Sequence, residues 1–219
     1  MREEKSVLRV GGLAGVLTGV ILILGFITFF LAFPPPDPEQ ALGTFPEDRT
    51  LLTVSVDLFI VSLLLSLPFL AALYRSLREP NRVFARIGLG TGVLAAVMGI
   101  VALTGFMLAT NTFSVLYADA TTSDRPVVVA TYAAVFSLLD AGNTAAFIFF
   151  GLAFVAFGLA MKRSQDFPEG LAWLSVVLGI IIILFIFLNL FPVAIIAIVV
   201  FALVLGWKVY NLSRAPGAG

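Results

Sequence analysis

Apolar runs of 20 residues or more recur along the whole sequence, and they constrain the fold more than any other feature. A helix of that length crosses the ~30 Å hydrocarbon core of a bilayer. Only 12% of the 219 residues are charged, whereas a soluble domain carries roughly 25%. We therefore predict an all-α fold, a polytopic membrane protein whose six transmembrane helices form a single domain over residues 1–219.

Proline and charged residues separate the predicted spans, which lie at about 8–33, 51–74, 83–110, 127–161, 170–188 and 193–211. The segment PPPDPEQ follows the first span, REPNR follows the second, and NLFP predicts a tight turn between the last two. Residues 111–126, NTFSVLYADATTSDRP, predict a polar loop. The first apolar run is too long for a typical signal peptide, so we expect it to remain as a span.

Lysine and arginine predict the orientation of the spans. Arg49 and Arg125 fall on one side of a six-span bundle, and the other 11 basic residues fall on the opposite side: Arg2, Lys5, Arg9, Arg75, Arg78, Arg82, Arg86, Lys162, Arg163, Lys208 and Arg214. Segments rich in these residues stay in the cytoplasm. We therefore expect a multi-pass protein of the cell membrane with both termini cytoplasmic.

Composition also excludes several kinds of chemistry. The chain has no cysteine and no histidine, which removes disulfides, thiolate chemistry and the usual ligands of zinc and haem. We recognise no catalytic motif and predict no enzyme activity, no cofactor and no metal site. The formal net charge is zero and no basic groove is evident, so we predict no nucleic-acid partner. Membrane lipids are the expected partners, with a second copy or another membrane protein as further options.

Two sets of small and aromatic residues each allow two interpretations. Gly11, Gly15 and Gly19 repeat every four residues in span 1, and Gly88 and Gly92 do so in span 3. Small residues at this spacing let helices approach closely, either inside the bundle or along a homodimer seam on span 1. The 21 phenylalanines predict lipid contact and packing, with a pocket for an apolar ligand as the alternative.

The only acidic residues inside the predicted spans are Asp57 and Asp140. An ionisable group at membrane depth marks a candidate functional site. About 20 residues, counted outward from Arg75 and from Lys162, place both aspartates near the outer boundary of the bilayer. Other polar residues predicted at this level complete a candidate polar layer: Ser137, Asn143, Thr144 and Asn189.

Span 4 is longer than a bilayer requires. A continuous helix over 127–161 would measure about 52 Å, so it must protrude, tilt strongly or break close to Gly142.

Three interpretations of the polar layer remain open. Its groups could satisfy one another near the interface; the two aspartates could hold a proton or cation; or they could form an acid–base pair. We predict a non-enzymatic protein that binds a partner, a lipid or a small apolar ligand in the outer half of the bundle. The alternative is a small proton- or cation-coupled transporter or channel that uses Asp57 and Asp140. An intramembrane enzyme is the third option.

A family resemblance rests on the region after Asp140. Residues 149–152 read FFGL, Gly158 follows seven residues after Gly151, and a short KRS turn and Pro168 precede the next span. This succession resembles an uncharacterised bacterial family of small six-span integral membrane proteins that contain a domain of unknown function. The REPNR turn and the glycine-rich start of span 3 fit the same family. The resemblance implies the six-span architecture and a bacterial-type cell membrane, and it implies no activity or catalytic residues.

Overall fold

The computed structural model describes residues 2–32, 37–79, 81–188 and 190–214. Within these ranges every regular element is a helix: α1 Arg2–Leu31, α2 Pro38–Leu77, α3 Arg82–Asp119, α4 Arg125–Met161, α5 Glu169–Phe187 and α6 Phe191–Leu212. All six are long and apolar enough to cross a membrane. The predicted all-α, six-span architecture is therefore confirmed.

The helices form a closed ring in chain order, because each packs against its neighbour in sequence and α1 also packs against α6. Helix α2 leans into the ring and contacts α4 and α6 across it. Neighbouring helices run antiparallel. A Cβ atom on Gly99 of α3 would meet Leu63 of α2 and Ala146 of α4, whereas one on Gly92 would meet Leu70 and Ala153. Residue numbers therefore fall along α2 and α4 as they rise along α3.

The two ends of the bundle differ in charge. The basic end holds the α2–α3 and α4–α5 turns and the terminal ends of α1 and α6, with Lys5, Arg9, Arg75, Arg78, Arg82, Arg86, Lys162, Arg163, Lys208 and Arg214. The acidic end holds the start of α2, the α3–α4 turn and the α5–α6 turn, with Asp37, Glu39, Glu47, Asp48, Asp119 and Asp124 against Arg49 and Arg125.

At the acidic end, α2 and α3 extend beyond the spans predicted for them. Helix α2 begins at Pro38 because the Asp37 carboxylate accepts hydrogen bonds from the backbone N–H groups of Glu39 (2.8 Å) and Gln40 (3.0 Å). Helix α3 continues to Asp119. The polar loop predicted over 111–126 is therefore wrong for 111–119, which belong to α3, and for 125–126, with which α4 begins.

A small apolar cluster at this end packs the start of α2 against α1 and α3. Ala32, Phe45 and Leu52 are buried together there, against partly buried Phe29, Phe106 and Met107. The Tyr117 hydroxyl donates a hydrogen bond to Glu39 (2.9 Å) and so ties α3 to the start of α2. Most polar residues of the extensions are at least partly exposed, although Ser114 is buried, and their number made these segments resemble loops in the sequence.

Helix α4 is continuous over its 37 residues, so span 4 does not break near Gly142. Its partner α5 has only 19 residues. A Cβ on Gly151 would meet the Gly179 carbonyl, and one on Gly158 would meet the Ala172 carbonyl. This register places the α5–α6 turn beside Gly142, so α4 continues past the end of the α5–α6 hairpin.

Glycines set the closest helix contacts. Gly15 of α1 and Gly206 of α6 face each other, and a Cβ on Gly206 would stand 2.6 Å from the Val16 nitrogen and 2.8 Å from the Gly15 carbonyl carbon. The five glycines predicted for helix packing all point at other helices: Gly11 at Ala72, Gly15 at Phe69 and Gly206, Gly19 at Leu203, Gly88 at Phe157, and Gly92 at Leu70 and Ala153. Both predicted stripes therefore lie inside the ring.

Candidate functional site

A cavity of about 380 Å³ lies inside the ring, toward the acidic end. Residues from all six helices line it, although α5 contributes only Ile186. Most of the lining is apolar, and ten of the 21 phenylalanines take part: Phe29, Phe59, Phe69, Phe106, Phe136, Phe147, Phe150, Phe154, Phe191 and Phe201. A volume of this size falls within the range of small-molecule sites.

Three aromatic rings close the cavity toward the basic end. Phe154 of α4 stacks on Phe201 of α6 with ring centroids 3.5 Å apart, and Phe69 of α2 meets Phe201 edge-on at 6.0 Å. Beneath these rings, Leu73 and Phe157 are completely buried. The cavity therefore ends on a floor of packed apolar side chains.

The mouth of the cavity lies on α4. Of the residues that line it, only Phe136 and Asp140 are exposed. Asn143 and Thr144 stand one turn deeper, where they are partly buried. Asp140 is 22 residues from Lys162, which corresponds to about 33 Å along the helix. If the basic end marks one bilayer boundary, the mouth lies at the other.

Three hydroxyls also line the cavity between its mouth and its floor. Thr18 donates to the Ala14 carbonyl (2.8 Å), Ser62 to the Phe59 carbonyl (2.7 Å) and Ser66 to the Leu63 carbonyl (2.6 Å). The Thr18 hydroxyl also lies within hydrogen-bond distance of the Ser62 carbonyl of α2 (3.4 Å). Because each hydroxyl hydrogen is donated to a backbone carbonyl, these side chains offer the cavity only acceptor lone pairs. They add little polarity to the wall.

The two aspartates lie at one level but on different surfaces. Asp57 and Asp140 are each six residues, about 9 Å, from the level at which Leu63, Gly99 and Ala146 meet. Asp140 lines the cavity, whereas Asp57 does not. Asp57 is exposed on the outer face of α2, in a stripe with the exposed residues Leu51, Val54, Val61 and Leu64.

The remaining members of the predicted polar layer separate in a similar way. Asn143 and Thr144 join Asp140 at the cavity. Ser137 is exposed outside it and donates a hydrogen bond to the Ala133 carbonyl (2.8 Å). Asn189 lies outside the described residues. Within the described ranges, no three acidic side chains approach closely enough to hold a metal ion.

The aromatic lining and the inward hydroxyls were absent from the predicted site. The phenylalanines gave a signal, since Phe147, Phe150 and Phe154 follow one another at helical spacing in α4. That spacing fits a lipid-facing stripe equally well. Only the ring order of the helices turns this face inward.

The fold and the cavity define a multi-pass membrane protein with a blind, aromatic-lined pocket. No curated protein and no solved structure matches the chain. A family model matches residues 13–212, and its description is "Domain of unknown function (DUF4386)". The chain belongs to this family, which confirms the resemblance to an uncharacterised six-span membrane family.

Proposed function

We propose that this protein is a non-enzymatic binding protein whose cavity holds a small apolar molecule dissolved in the membrane. The observation that supports this most strongly is the blind shape of the cavity: an apolar wall, a polar mouth and a floor of three packed phenylalanines. Ligand sites are typically concave and apolar with a few placed polar groups.

The surroundings of the mouth favour entry from the bilayer. The α5–α6 hairpin ends beside Gly142, so the start of α4 has no α5 neighbour on that side. Large apolar side chains of the hairpin are exposed there: Phe187 (69% exposed), Leu188 (63%) and Leu190 (44%). Lipid tails can contact this rim, so an apolar molecule can enter without crossing water.

Two alternatives have less support. A transporter needs a polar path toward the other face, whereas fully buried Leu73, Phe157 and Met161 lie beyond the floor. An acid–base enzyme needs its two carboxylates within reach of one substrate. Asp140 lines the cavity and Asp57 lies on the outer face of α2, which favours a binding role over either alternative.

The test is native mass spectrometry of the protein extracted gently from its own membrane, with solvent extraction to identify retained molecules. We expect a bound apolar molecule in the unsubstituted protein and its loss in Ala146→Phe, because Ala146 lines the cavity and is buried. Leu138→Phe is the matched control, since Leu138 lies on the same helix outside the cavity. Equal retention in both variants, or none in the unsubstituted protein, would contradict the proposal.

Should Ala146→Phe fail to fold, Ala202→Leu serves the same purpose. Ala202 is buried in the opposite wall, on α6. A monodisperse peak in size-exclusion chromatography selects the variants that are compared.

We also propose that the basic end faces the cytoplasm, with both termini, in a bacterial-type cell membrane. The excess of lysine and arginine at that end supports this orientation. Because the chain has no cysteine, single variants report sidedness directly. A membrane-impermeant maleimide should label Ser123→Cys at the acidic end in intact cells and should not label Gln165→Cys at the basic end. The reverse pattern would overturn the orientation.

A further inference from the structure

The mouth of the cavity carries one carboxylate, that of Asp140. In the described part of the chain, no lysine or arginine forms an ion pair with Asp140. The nearest basic residue in sequence on α4, Arg125, lies over the ring of Tyr117 instead, 4.8 Å from its centroid. Asp140 is exposed at the edge of this apolar cavity, so its carboxylate is accessible to a ligand that carries a positive charge.

Neighbouring groups at the mouth suit the same kind of ligand. Asn143 and Thr144 line the cavity beside Asp140 and carry oxygen atoms that accept hydrogen bonds. At the acidic end, the start of α2 and the α3–α4 turn carry the six acidic and two basic residues named above. The summed field of such an end draws cations toward the mouth.

The dimensions of the cavity below its mouth suit a hydrocarbon chain. Asp140 and Phe154 are 14 residues apart on α4, which is about 21 Å, longer than the roughly 15 Å thickness of one leaflet's hydrocarbon. A cavity of about 380 Å³ that extends over this length suits an extended hydrocarbon chain.

From these observations we infer that the cavity takes a single-chain amphiphile with a cationic amine head group. The ammonium group binds at Asp140, with Asn143 and Thr144 as further acceptors, and the chain extends down the cavity to the aromatic floor. This inference rests on the proposed binding function and specifies its ligand class. It assigns Asp140 a recognition role that Asp57, at the same level on the outer face, does not share.

The experiment compares four probes with the same 14-carbon chain: tetradecylamine, tetradecanol, tetradecanoic acid and tetradecane. All four probes are added at the same mole fraction to the detergent-solubilised protein at pH 7. The fraction of protein with bound probe is measured by native mass spectrometry. We expect the amine to bind most tightly, because a hydrogen bond to a charged group is worth about a 10- to 100-fold gain in affinity. The acid should bind most weakly, since its carboxylate would face that of Asp140.

Two isosteric variants test whether Asp140 causes the preference for the amine. Asp140→Asn should abolish the preference for the amine and leave tetradecane binding unchanged, whereas Asp57→Asn should preserve the full ranking. If the amine, alcohol and alkane bind equally to the unsubstituted protein, or if Asp140→Asn keeps the preference, the head-group inference is overturned. The ranking in the unsubstituted protein decides the matter even if a variant does not fold.

The two proposals can fail separately. Binding of tetradecane without any head-group preference would overturn this inference and leave the binding function intact. If none of the four probes binds and no molecule is retained from the membrane, both proposals fail.

Discussion

The two halves of this bundle are built from the same helices, but one half is filled by side chains and the other encloses a cavity. Toward the basic end, Leu73, Leu77, Phe157, Met161 and Val209 are completely buried and fill the space inside the ring. Toward the acidic end, the same ring encloses a cavity of about 380 Å³. Both halves are apolar, so hydrophobicity alone does not distinguish the packed half from the open one.

The difference lies in what stands opposite each small residue. In the packed half, Gly88 faces the ring of Phe157, and a Cβ on it would come within 3.0 Å of that ring. In the open half, small residues stand opposite one another: Ala102 and Ala146 line the cavity, and a Cβ on Gly142 would come no closer than 3.9 Å to its neighbour Ala102. A small residue therefore lets helices pack closely only where a side chain of a neighbouring helix fills the space beside it.

The largest test of this comparison removes one phenylalanine from each half of α4. Phe157→Ala should lower the free energy of unfolding by about 3–5 kcal/mol, because it opens a cavity in a filled region. Phe147→Ala should cost about 1 kcal/mol, mainly its edge contact with Phe191 (4.9 Å between centroids). Denaturant unfolding in detergent measures both. Equal costs would break the distinction between the halves.

A second test addresses the glycine contacts. Gly206→Ala should destabilise the protein by about 1–3 kcal/mol, because the added Cβ would press on the backbone of α1. Gly90→Ala is the control, since a Cβ on Gly90 meets nothing within 4 Å. The control should be neutral or gain up to about 1 kcal/mol from helix propensity. Melting temperatures under one detergent condition rank the two variants; a tolerated Gly206→Ala would refute the close contact.

The smallest effect concerns the helical extension at the acidic end. Asp37→Ala should cost about 1 kcal/mol by removing the cap on the first turn of α2. Amide hydrogen exchange should then speed up in residues 39–42 and remain unchanged in the packed half. Glu47→Ala, an exposed site within the same helix, is the comparison and should leave exchange near Pro38 unaltered. Unchanged exchange in Asp37→Ala would show that tertiary contacts alone hold the extension.

The sequence predicted the number and order of the spans well, because long apolar runs and their punctuation depend only on local composition. It underestimated the lengths of α2 and α3. Asp37, followed by Pro38 and Glu39, is a recognisable helix start, yet the prolines just before it favoured a loop. The contacts of Phe45, Phe106 and Tyr117 that hold the extensions are long-range, and no local pattern reports them.

The candidate site was only partly predictable. A count of residues placed Asp57 and Asp140 at one level, and the register of the helices does the same. The count could not show which aspartate faces the interior of the ring, because the inward side of each helix depends on the order of all six helices around the ring. For the same reason, the sequence could not distinguish the cavity-facing phenylalanines from lipid-facing ones.

The central claim is that an apolar molecule occupies the acidic half of the ring while the basic half is filled by side chains. A crystal structure of the protein purified with its native lipid tests this most directly. The account predicts elongated density that starts beside Asp140 and ends on the rings of Phe69, Phe154 and Phe201. An acidic half collapsed onto itself, with α2 packed against α4 and no density between them, would contradict it.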